Sequence, residues 1–269
     1  MKTILITGAT DGLGRETARR FAGEGHRVIL HGRNADKLAA TAAEIGASQG
    51  AGPVETVQAD LSRLADVAAL AATVTGSHER LDVLVNNAGV LRSPNPITAD
   101  GLDVRFVVNT LAPALLARRL LPLMPPDGRI VHLSSAAQAP VDLEALAGRR
   151  RLEPMPAYAQ SKLALTIWSA ALAEELGTDG PVTVAVNPGS LLATRMVKEG
   201  FGVAGQDVHV GVAILVRAAI SPEFADASGR YFDNDAGRFA RPHRDADDRE
   251  IRARVAAAID GMIVPHLED

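Results

Sequence analysis

Short runs rich in Val, Ile and Leu alternate with longer amphipathic segments along most of this chain. The runs that read as strands are "TILIT" (3–7), "RVILHG" (27–32), "VETVQAD" (54–60), "LDVLVNN" (81–87), "GRIVHLSS" (128–135) and "PVTVAVNPG" (181–189). Helical segments separate them at 12–24, 35–45, 62–75, 100–122 and 157–176. The apolar residues of the runs are contiguous, which is typical of strands covered on both faces. The order predicts βαβ units, and hence an α/β fold with a doubly wound parallel sheet and helices on both faces.

The whole chain, residues 1–269, is expected to form a single domain, because no Gly/Pro/Ser linker and no internal repeat divides it. Three segments depart from the alternation. Residues 136–156 and 190–210 are interpreted as loops on the substrate side of the domain. Residues 221–269 are interpreted as a C-terminal extension, whose charged part at 221–250 could close over a pocket, meet a partner subunit or be solvated.

Composition excludes several classes of function. The chain is 47% apolar and 22% charged, which is typical of a soluble globular protein. A net charge of −4 gives no reason to expect binding to nucleic acid or to an anionic membrane. The chain has no cysteine, and its seven histidines are scattered, so no metal site is predicted.

The sequence also predicts a cytoplasmic protein without a membrane segment. The apolar run near the N-terminus, "ILI", is too short for the core of a signal peptide. The longer run "LAPALLARRLLPLM" is interrupted by Arg118 and Arg119. It therefore falls short of the roughly 18 to 20 uninterrupted apolar residues of a membrane span.

A glycine-rich turn, "TGATDGLGRETARRF", joins the first strand to the first helix, with Gly8, Gly12 and Gly14 spaced GxxxGxG. Glycines at this point let the backbone turn tightly and bring its N–H groups close to a diphosphate at a helix N-terminus. The alternative is a tight turn that binds nothing. Because the turn lies between strand one and helix one, the pattern favours a Rossmann-type dinucleotide site.

The end of the second strand indicates which dinucleotide is preferred. An acidic residue there would bind the ribose hydroxyls of NAD, but the chain reads "HGRNADK", with Arg33 and no carboxylate before Asp36. Arg15 follows the last glycine of the turn. Two guanidiniums without a competing carboxylate favour the 2′-phosphate of NADP(H), while NAD(H) stays possible.

Seven motifs in order resemble those of the short-chain dehydrogenase/reductase family over almost the whole chain. They are "TGATDGLG" (7–14), "AD" (59–60), "NNAG" (86–89), Asn109 in "VVNT", "SS" (134–135), "YAQSK" (158–162) and "NPG" (187–189). The stretches "GRETA" and "AYAQSKLA" and the spacing from the serines to Tyr158 resemble the retinol-dehydrogenase-like branch. The resemblance implies an NAD(P)-dependent enzyme, with a homodimer or homotetramer often built on the two longest helices.

The resemblance implies that Ser135, Tyr158, Lys162 and Asn109 are the catalytic residues. Reduction of a carbonyl needs a proton for the developing alkoxide, and a tyrosine hydroxyl supplies it if its pKa of about 10 is lowered. Lys162, one helical turn away, is expected to lower that pKa and to hold the nicotinamide ribose. Ser135, rather than Ser134, is expected to polarise the substrate carbonyl, and Asn109 to hold a water in a proton relay.

The cofactor is expected to contact residues from both ends of the chain. These are Thr7, Gly8, Thr10, Asp11, Gly12, Leu13, Gly14, Arg15, Arg33, Asp60, Leu61, Asn87, Ala88, Gly89, Tyr158, Lys162, Pro188, Gly189 and Thr194. Two features depart from the family pattern. In "PGSLLATRM", Thr194 stands one position later than the usual threonine, and "SSAAQAP" lacks the usual small residue after the serines.

The leading hypothesis is an NADP(H)-dependent oxidoreductase that interconverts a small-molecule carbonyl and an alcohol. A protein that senses or scaffolds with the dinucleotide would need the glycines but not Ser135, Tyr158 and Lys162 together. An epimerase or dehydratase would use the same Tyr and Lys for transient oxidation, but usually has a longer chain and a GxxGxxG turn.

Overall fold

One eight-stranded sheet runs through the middle of the protein, in the order β3-β2-β1-β4-β5-β6-β7-β8. We describe residues 1–194, 196–198, 202 and 204–267 from a computed structural model. The strands are β1 (Thr3–Ile6), β2 (Arg27–Gly32), β3 (Val54–Gln58), β4 (Val83–Asn86), β5 (Arg129–Leu133), β6 (Val182–Asn187), β7 (Tyr231–Asp233) and β8 (Arg238–Ala240). Strands β1 to β7 are all parallel to one another, and β8 is antiparallel to β7. The predicted α/β, Rossmann-type doubly wound sheet is confirmed.

Helices cover both faces of this sheet. They are α1 (Gly12–Gly23), α2 (Ala35–Gly46), α3 (Leu64–Ser77), α4 (Val104–Phe106), a π-helical segment (Val107–Leu111), α5 (Ala112–Leu120), α6 (Leu143–Leu146), α7 (Pro154–Leu176), α8 (Val208–Ile220) and α9 (Arg249–Ile263). Side chains of successive strand residues point to opposite faces, so Leu5 joins the core under α3, α5, α7 and α9. Ile4 and Ile6 join the second core, under α1 and α8. This explains why the central strands are contiguously apolar.

The charged stretch at 221–250 contains two strands that the sequence pattern did not predict. β7 and β8 have only three residues each and lie among turn-forming and charged residues. Strands this short carry too few residues for an apolar run to stand out. They continue the sheet beyond β6, and Phe232 and Phe239 pack at a centroid distance of 5.1 Å. The segment is therefore part of the sheet at this edge.

The last helix, α9, packs against α5 and α7 on one face of the sheet. Val255, Ile259 and Ile263 are buried in the same core as Trp168 of α7. Asp260 accepts a hydrogen bond from Trp168 Nε1 at 2.9 Å and forms an ion pair with Arg118 of α5. The homodimer or homotetramer expected from the family stays a prediction, and α9 covers part of the helices on which it was expected to form.

One helical stretch, Val104–Leu123, is long and apolar enough to cross a membrane by length and composition. The sequence did not predict it as a membrane span, because Arg118 and Arg119 interrupt its apolar residues. In the protein, 67% of its most apolar 18-residue part is buried inside the fold. The stretch packs there between α3 and α7.

Candidate active site

The backbone conformation and close packing of the turn after β1 favour glycine at positions 8, 12 and 14. Gly8 and Gly12 have positive φ angles of 65° and 48°. A Cβ atom on Gly14 would lie 2.3 Å from the carbonyl oxygen of Gly8 and 2.4 Å from the side-chain nitrogen of Asn87. Asp11 caps α1 by accepting a hydrogen bond from Gly12 N at 2.8 Å. The backbone of this turn is therefore left bare at the N-terminus of a helix, where a diphosphate binds favourably.

The residues after β4 lock this turn from the neighbouring strand. Asn87 Nδ2 donates to the carbonyl oxygens of Thr7 and Gly8 at 2.8 and 3.1 Å. Ala88 N donates to Thr7 Oγ1 at 3.0 Å. The motifs "TGATDGLG" and "NNAG" are thus in direct contact, and the predicted cofactor residues Thr7, Gly8, Asn87 and Ala88 come together.

His31, at the end of β2, was not predicted as a site residue. Its Nδ1 accepts a hydrogen bond from Gly8 N at 3.2 Å, so its Nε2 carries the proton and donates to the carbonyl oxygen of Ala59 at 3.1 Å. Burial lowers the pKa of His31 to about 4, which keeps the ring neutral. The imidazole thus ties the glycine turn to the ends of β2 and β3. Nothing in its sequence position indicates this, because the contact joins three strands.

The two arginines expected at the 2′-phosphate differ in their contacts. Arg15 Nη2 is 2.7 Å from both carboxylate oxygens of Glu44 on α2, and the pKa of Arg15 is raised by that hydrogen bond. Arg33 is exposed, and its side chain forms no ion pair or hydrogen bond with the residues that the structure describes. Of the two guanidiniums, Arg33 is therefore the one that a phosphate can reach without breaking an ion pair. Thr10, also expected to touch the cofactor, packs its methyl group against Gly32.

Asp60 and Leu61 follow β3 at the same edge of the sheet. Asp60 Oδ1 accepts hydrogen bonds from the N and Oγ of Ser62 at 3.0 and 2.8 Å. Leu61 is buried. The Asp60 carboxylate is held by the turn that starts α3, and the adenine contact expected for it stays a prediction.

The two serines after β5 point in different directions. Ser134 is buried, and its Oγ is 2.6 Å from Thr166 Oγ1 inside the core. Ser135 forms a hydrogen bond with the hydroxyl of Tyr158, which lowers the pKa of that phenol in part. The geometry thus supports Ser135, not Ser134, as the serine that faces a substrate.

Burial dominates the pKa of Tyr158. It raises the pKa of the phenol, and the hydrogen bond from Ser135 offsets only part of that effect. The Lys162 ammonium lies 5.7 Å from the Tyr158 ring centroid. The lowering of the Tyr158 pKa expected from Lys162 stays a prediction, since burial and the Ser135 hydrogen bond are the causes of the shift in this structure.

Lys162 is 4% exposed, and its side chain reaches the C-terminal end of β5. Its Nζ donates to the carbonyl oxygen of Leu133 at 2.7 Å, and burial lowers its pKa to about 8. A Cβ on Gly89 would lie 3.6 Å from that Nζ and 3.4 Å from Asn109 Oδ1. The glycine of "NNAG" thus leaves room beside the ammonium.

Asn109 lies in the π-helical segment, a kind of irregularity that often occurs at functional sites. Its amide binds the backbone of Val90 in both directions, at 2.8 and 3.0 Å, and donates to Ser161 Oγ at 2.9 Å. Ser161 Oγ in turn donates to the carbonyl oxygen of Tyr158 at 2.7 Å. Ser161, for which the sequence predicted no role, therefore connects Asn109 to α7.

The loop after β6 lies next to the glycine turn. Thr194 Cγ2 is 3.5 Å from where a Cβ on Gly12 would stand. Leu191 takes a positive φ of 51°, in the region that favours glycine. Leu191 lies between Gly189 and Thr194, the stretch that is one residue longer here than in the family pattern. Residues 195, 199–201 and 203 of the predicted loop 190–210 lie outside the described part of the chain.

Comparison with known proteins identifies the family. A family model described as short chain dehydrogenase matches residues 2–201. The chain is a short-chain dehydrogenase. Retinol dehydrogenase 13 of Homo sapiens is 30% identical over 290 residues, covering 100% of this chain and 87% of that protein. Polyprenol dehydrogenase of Mus musculus is 32% identical over 276 residues, covering 95% and 82%.

Solved structures agree with this assignment. An uncharacterized protein from Mycobacterium paratuberculosis superposes with a TM-score of 0.79 at 30% identity, covering 97% of this chain and 93% of that one. A short chain dehydrogenase from Burkholderia cenocepacia J2315, in complex with NADP, gives 0.68 at 29% identity, covering 86% and 95%. This short-chain dehydrogenase belongs to the retinol-dehydrogenase-like branch. It is an NAD(P)-dependent enzyme that acts on CH–OH groups.

The residues present fit a nicotinamide dinucleotide. Glycine at position 14 lets the turn pack closely against Gly8 and Asn87, because a methyl group there would collide with both. The N-terminus of α1 follows directly on this turn, and a helix N-terminus favours a phosphate. Arg33 provides a cation without an ion pair in the described chain, and Lys162 is a buried ammonium whose recorded hydrogen bond is to a backbone oxygen. The shape and the charges at this edge of the sheet thus suit an anionic ligand.

Proposed function

We propose that the enzyme interconverts an aldehyde or ketone and the corresponding alcohol with NADP(H), and that Tyr158 is the general acid and base. The observation that carries this proposal is the convergence of Ser135, Tyr158 and Lys162 at one end of the sheet. Only an enzyme that moves a proton at a carbonyl oxygen needs all three. A protein that only senses the dinucleotide does not, and an epimerase or dehydratase is disfavoured by the chain length and the glycine spacing.

Each residue has a defined task in the reduction. When bound, the cofactor supplies the hydride. Ser135 donates a hydrogen bond to the carbonyl oxygen of the substrate, and Tyr158 donates the proton that this oxygen needs. The raised pKa of Tyr158 keeps the phenol protonated and ready to donate at neutral pH.

Lys162 stabilises the phenolate that remains after proton transfer. Its pKa of about 8 means that most of it carries a positive charge at pH 7. The ammonium near the Tyr158 ring then favours the negative charge as it develops. Asn109 and Ser161 hold the first turns of α7, the helix that carries the Tyr158 phenol and the Lys162 ammonium.

The preference for NADP(H) over NAD(H) rests on Arg33. An exposed guanidinium at the end of β2, with no carboxylate before Asp36, suits a 2′-phosphate better than two ribose hydroxyls. Two of the similar solved structures are described as complexes with NADP and with NADPH. The small-molecule substrate is proposed to be apolar, in line with relatives named for retinol and polyprenol.

The test is the variant Tyr158→Phe, assayed with aldehydes and ketones by NADPH absorbance. We expect turnover to fall by about 10³-fold or more, because the proton donor is lost. The dissociation constant for NADPH is expected to change by less than about 3-fold, because the ring and Lys162 stay in place. Turnover that survives the substitution contradicts the proton-donor role.

A cytoplasmic location stays a prediction from the sequence.

A further inference from the structure

The turn between β7 and β8 reaches over to the loop that follows β6. Asp235, in this turn, accepts hydrogen bonds from Ser190 N at 2.8 Å and from Ser190 Oγ at 2.5 Å. The same carboxylate accepts from Asn187 Nδ2 at 2.9 Å. One side chain from the C-terminal edge therefore holds both ends of the segment Asn187–Ser190.

Neighbouring residues of the same turn complete this contact. Asn234 Nδ2 donates to the carbonyl oxygen of Pro188 at 2.9 Å, and Asn234 N donates to the carbonyl oxygen of Asn187 at 3.1 Å. Asp233 Oδ1 accepts from Asn187 Nδ2 and from Asp235 N, at 2.9 and 3.1 Å. Three consecutive residues, Asp233 to Asp235, thus bind the loop at several atoms.

Other contacts hold the far end of this loop: Gln206 N donates to the carbonyl oxygen of Leu191, and Ala193 N donates to that of Gln206, both at 2.7 Å. Gly189 has a φ of 124°, and Leu191 a φ of 51°, so two of its residues occupy regions that L side chains rarely adopt. For a non-glycine residue such as Leu191, this conformation persists only where surrounding contacts hold it. The hydrogen bond from Gln206 holds Leu191, whereas those from the β7–β8 turn hold the first part of the loop, from Asn187 to Ser190.

The Asp235 carboxylate is well matched to this task. Partial burial alone would raise its pKa, but the hydrogen bonds from Ser190 and Asn187 outweigh that effect and hold the pKa below its usual value. The group is therefore ionised at neutral pH and accepts charge-assisted hydrogen bonds, which are stronger than neutral ones.

We propose that Asp235 is a positioning residue that fixes the backbone of Pro188, Gly189 and Ser190 for hydride transfer. This inference rests on the proposed function and on the cofactor contacts predicted for Pro188 and Gly189. The β7–β8 turn then belongs to the active site although none of its atoms takes part in the chemistry. A misplacement of reacting groups by about 1 Å costs on the order of 100-fold in rate, so a loosened loop has a large kinetic effect.

The variant Asp235→Asn tests this, because it keeps the shape but puts an amide group against the donors of Ser190 or Asn187. We expect single-turnover hydride transfer from NADPH to slow by about 10- to 100-fold. The dissociation constant for NADPH is expected to change by less than about 3-fold. Asp226→Asn is the matched control, since Asp226 is exposed, and it should leave the rate unchanged.

A second measurement is independent of activity. In the whole protein, the amide hydrogen of Ser190 should exchange at least about 10-fold faster in Asp235→Asn than in the parent. Unchanged exchange at Ser190 overturns the proposal even if no substrate is found. If the parent turns over and Asp235→Asn does so equally fast, the positioning role is wrong while the proposed function stands.

The variant Ser190→Ala serves if Asp235→Asn does not fold. It removes the Oγ contact and keeps the backbone one, so we expect a smaller slowing, about 3- to 10-fold. An unchanged rate in a folded Ser190→Ala overturns the proposal. A rate loss that is matched by an equal loss of folded protein in thermal unfolding does the same, because it indicates a structural role only.

Discussion

The turn after β1 and the loop after β6 both hold backbone at the carboxyl edge of the sheet, but different contacts hold them. Glycines that leave no room for a side chain shape the first, and Asn87 and His31 lock it from the ends of β4 and β2, 80 and 23 residues along the chain. The second is fixed from about 45 residues further along the chain, by the carboxylate of Asp235. The first can be recognised as a sequence motif, whereas the second appears only when β7 and β8 join the sheet.

The strongest way to break the turn after β1 is the variant Gly14→Ala. The added methyl group would collide with the backbone oxygen of Gly8 at 2.3 Å, so part of the turn must move. We expect the free energy of unfolding to fall by about 4 kcal/mol and NADPH binding to weaken by at least about 100-fold. Urea denaturation and cofactor fluorescence measure the two effects.

The control is Gly76→Ala, near the end of α3, where a Cβ meets no atom within 4 Å. Alanine is a better helix former, so stability should stay equal or rise by up to about 1 kcal/mol. If Gly14→Ala behaves like this control, the turn is not a tight cradle and the contrast with the loop after β6 disappears.

A change of pH sharpens the comparison at His31. Its pKa is about 4 in the folded chain and about 6.5 when unfolded, so the unfolded state binds more protons between these values. Stability due to His31 is thus full above about pH 6.5 and is lost as the pH falls towards 4. The loss amounts to about 3 kcal/mol.

Denaturation of the parent and of His31→Gln, at pH 7 and at pH 5, isolates this contribution. His132, whose pKa burial lowers to about 3, contributes in the same direction and is present in both proteins. The stability difference between parent and variant should shrink as the pH falls. A constant difference would mean that His31 does not hold Gly8 as a neutral acceptor.

The smallest expected effect concerns the choice of cofactor. Arg33→Ala should weaken NADPH by about 10- to 100-fold, because a charge-assisted contact to the 2′-phosphate is lost. NADH, which lacks that phosphate, should lose less than about 3-fold. Arg15→Ala is a useful comparison, since Arg15 is already paired with Glu44. Equal losses of both cofactors in Arg33→Ala would remove Arg33 as the phosphate ligand.

The amino-acid sequence by itself determined the fold and predicted most of the candidate active site. Contiguous apolar runs predicted the six strands from β1 to β6, because strands covered on both faces must be apolar throughout. The position of the glycines between strand and helix predicted the cofactor turn. The spacing of Tyr158 and Lys162 predicted two side chains on one helical face, and the structure confirms that they lie together.

Tertiary structure decided what the motifs could not. It directed Ser134 into the core and Ser135 towards Tyr158, and it paired Arg15 with Glu44 while Arg33 stayed exposed. It also brought Asp235 to the loop after β6 by adding two strands too short to leave a sequence pattern. The physical reason is that backbone shape and helical spacing are local properties, whereas a side chain's partner depends on which strands and helices become neighbours.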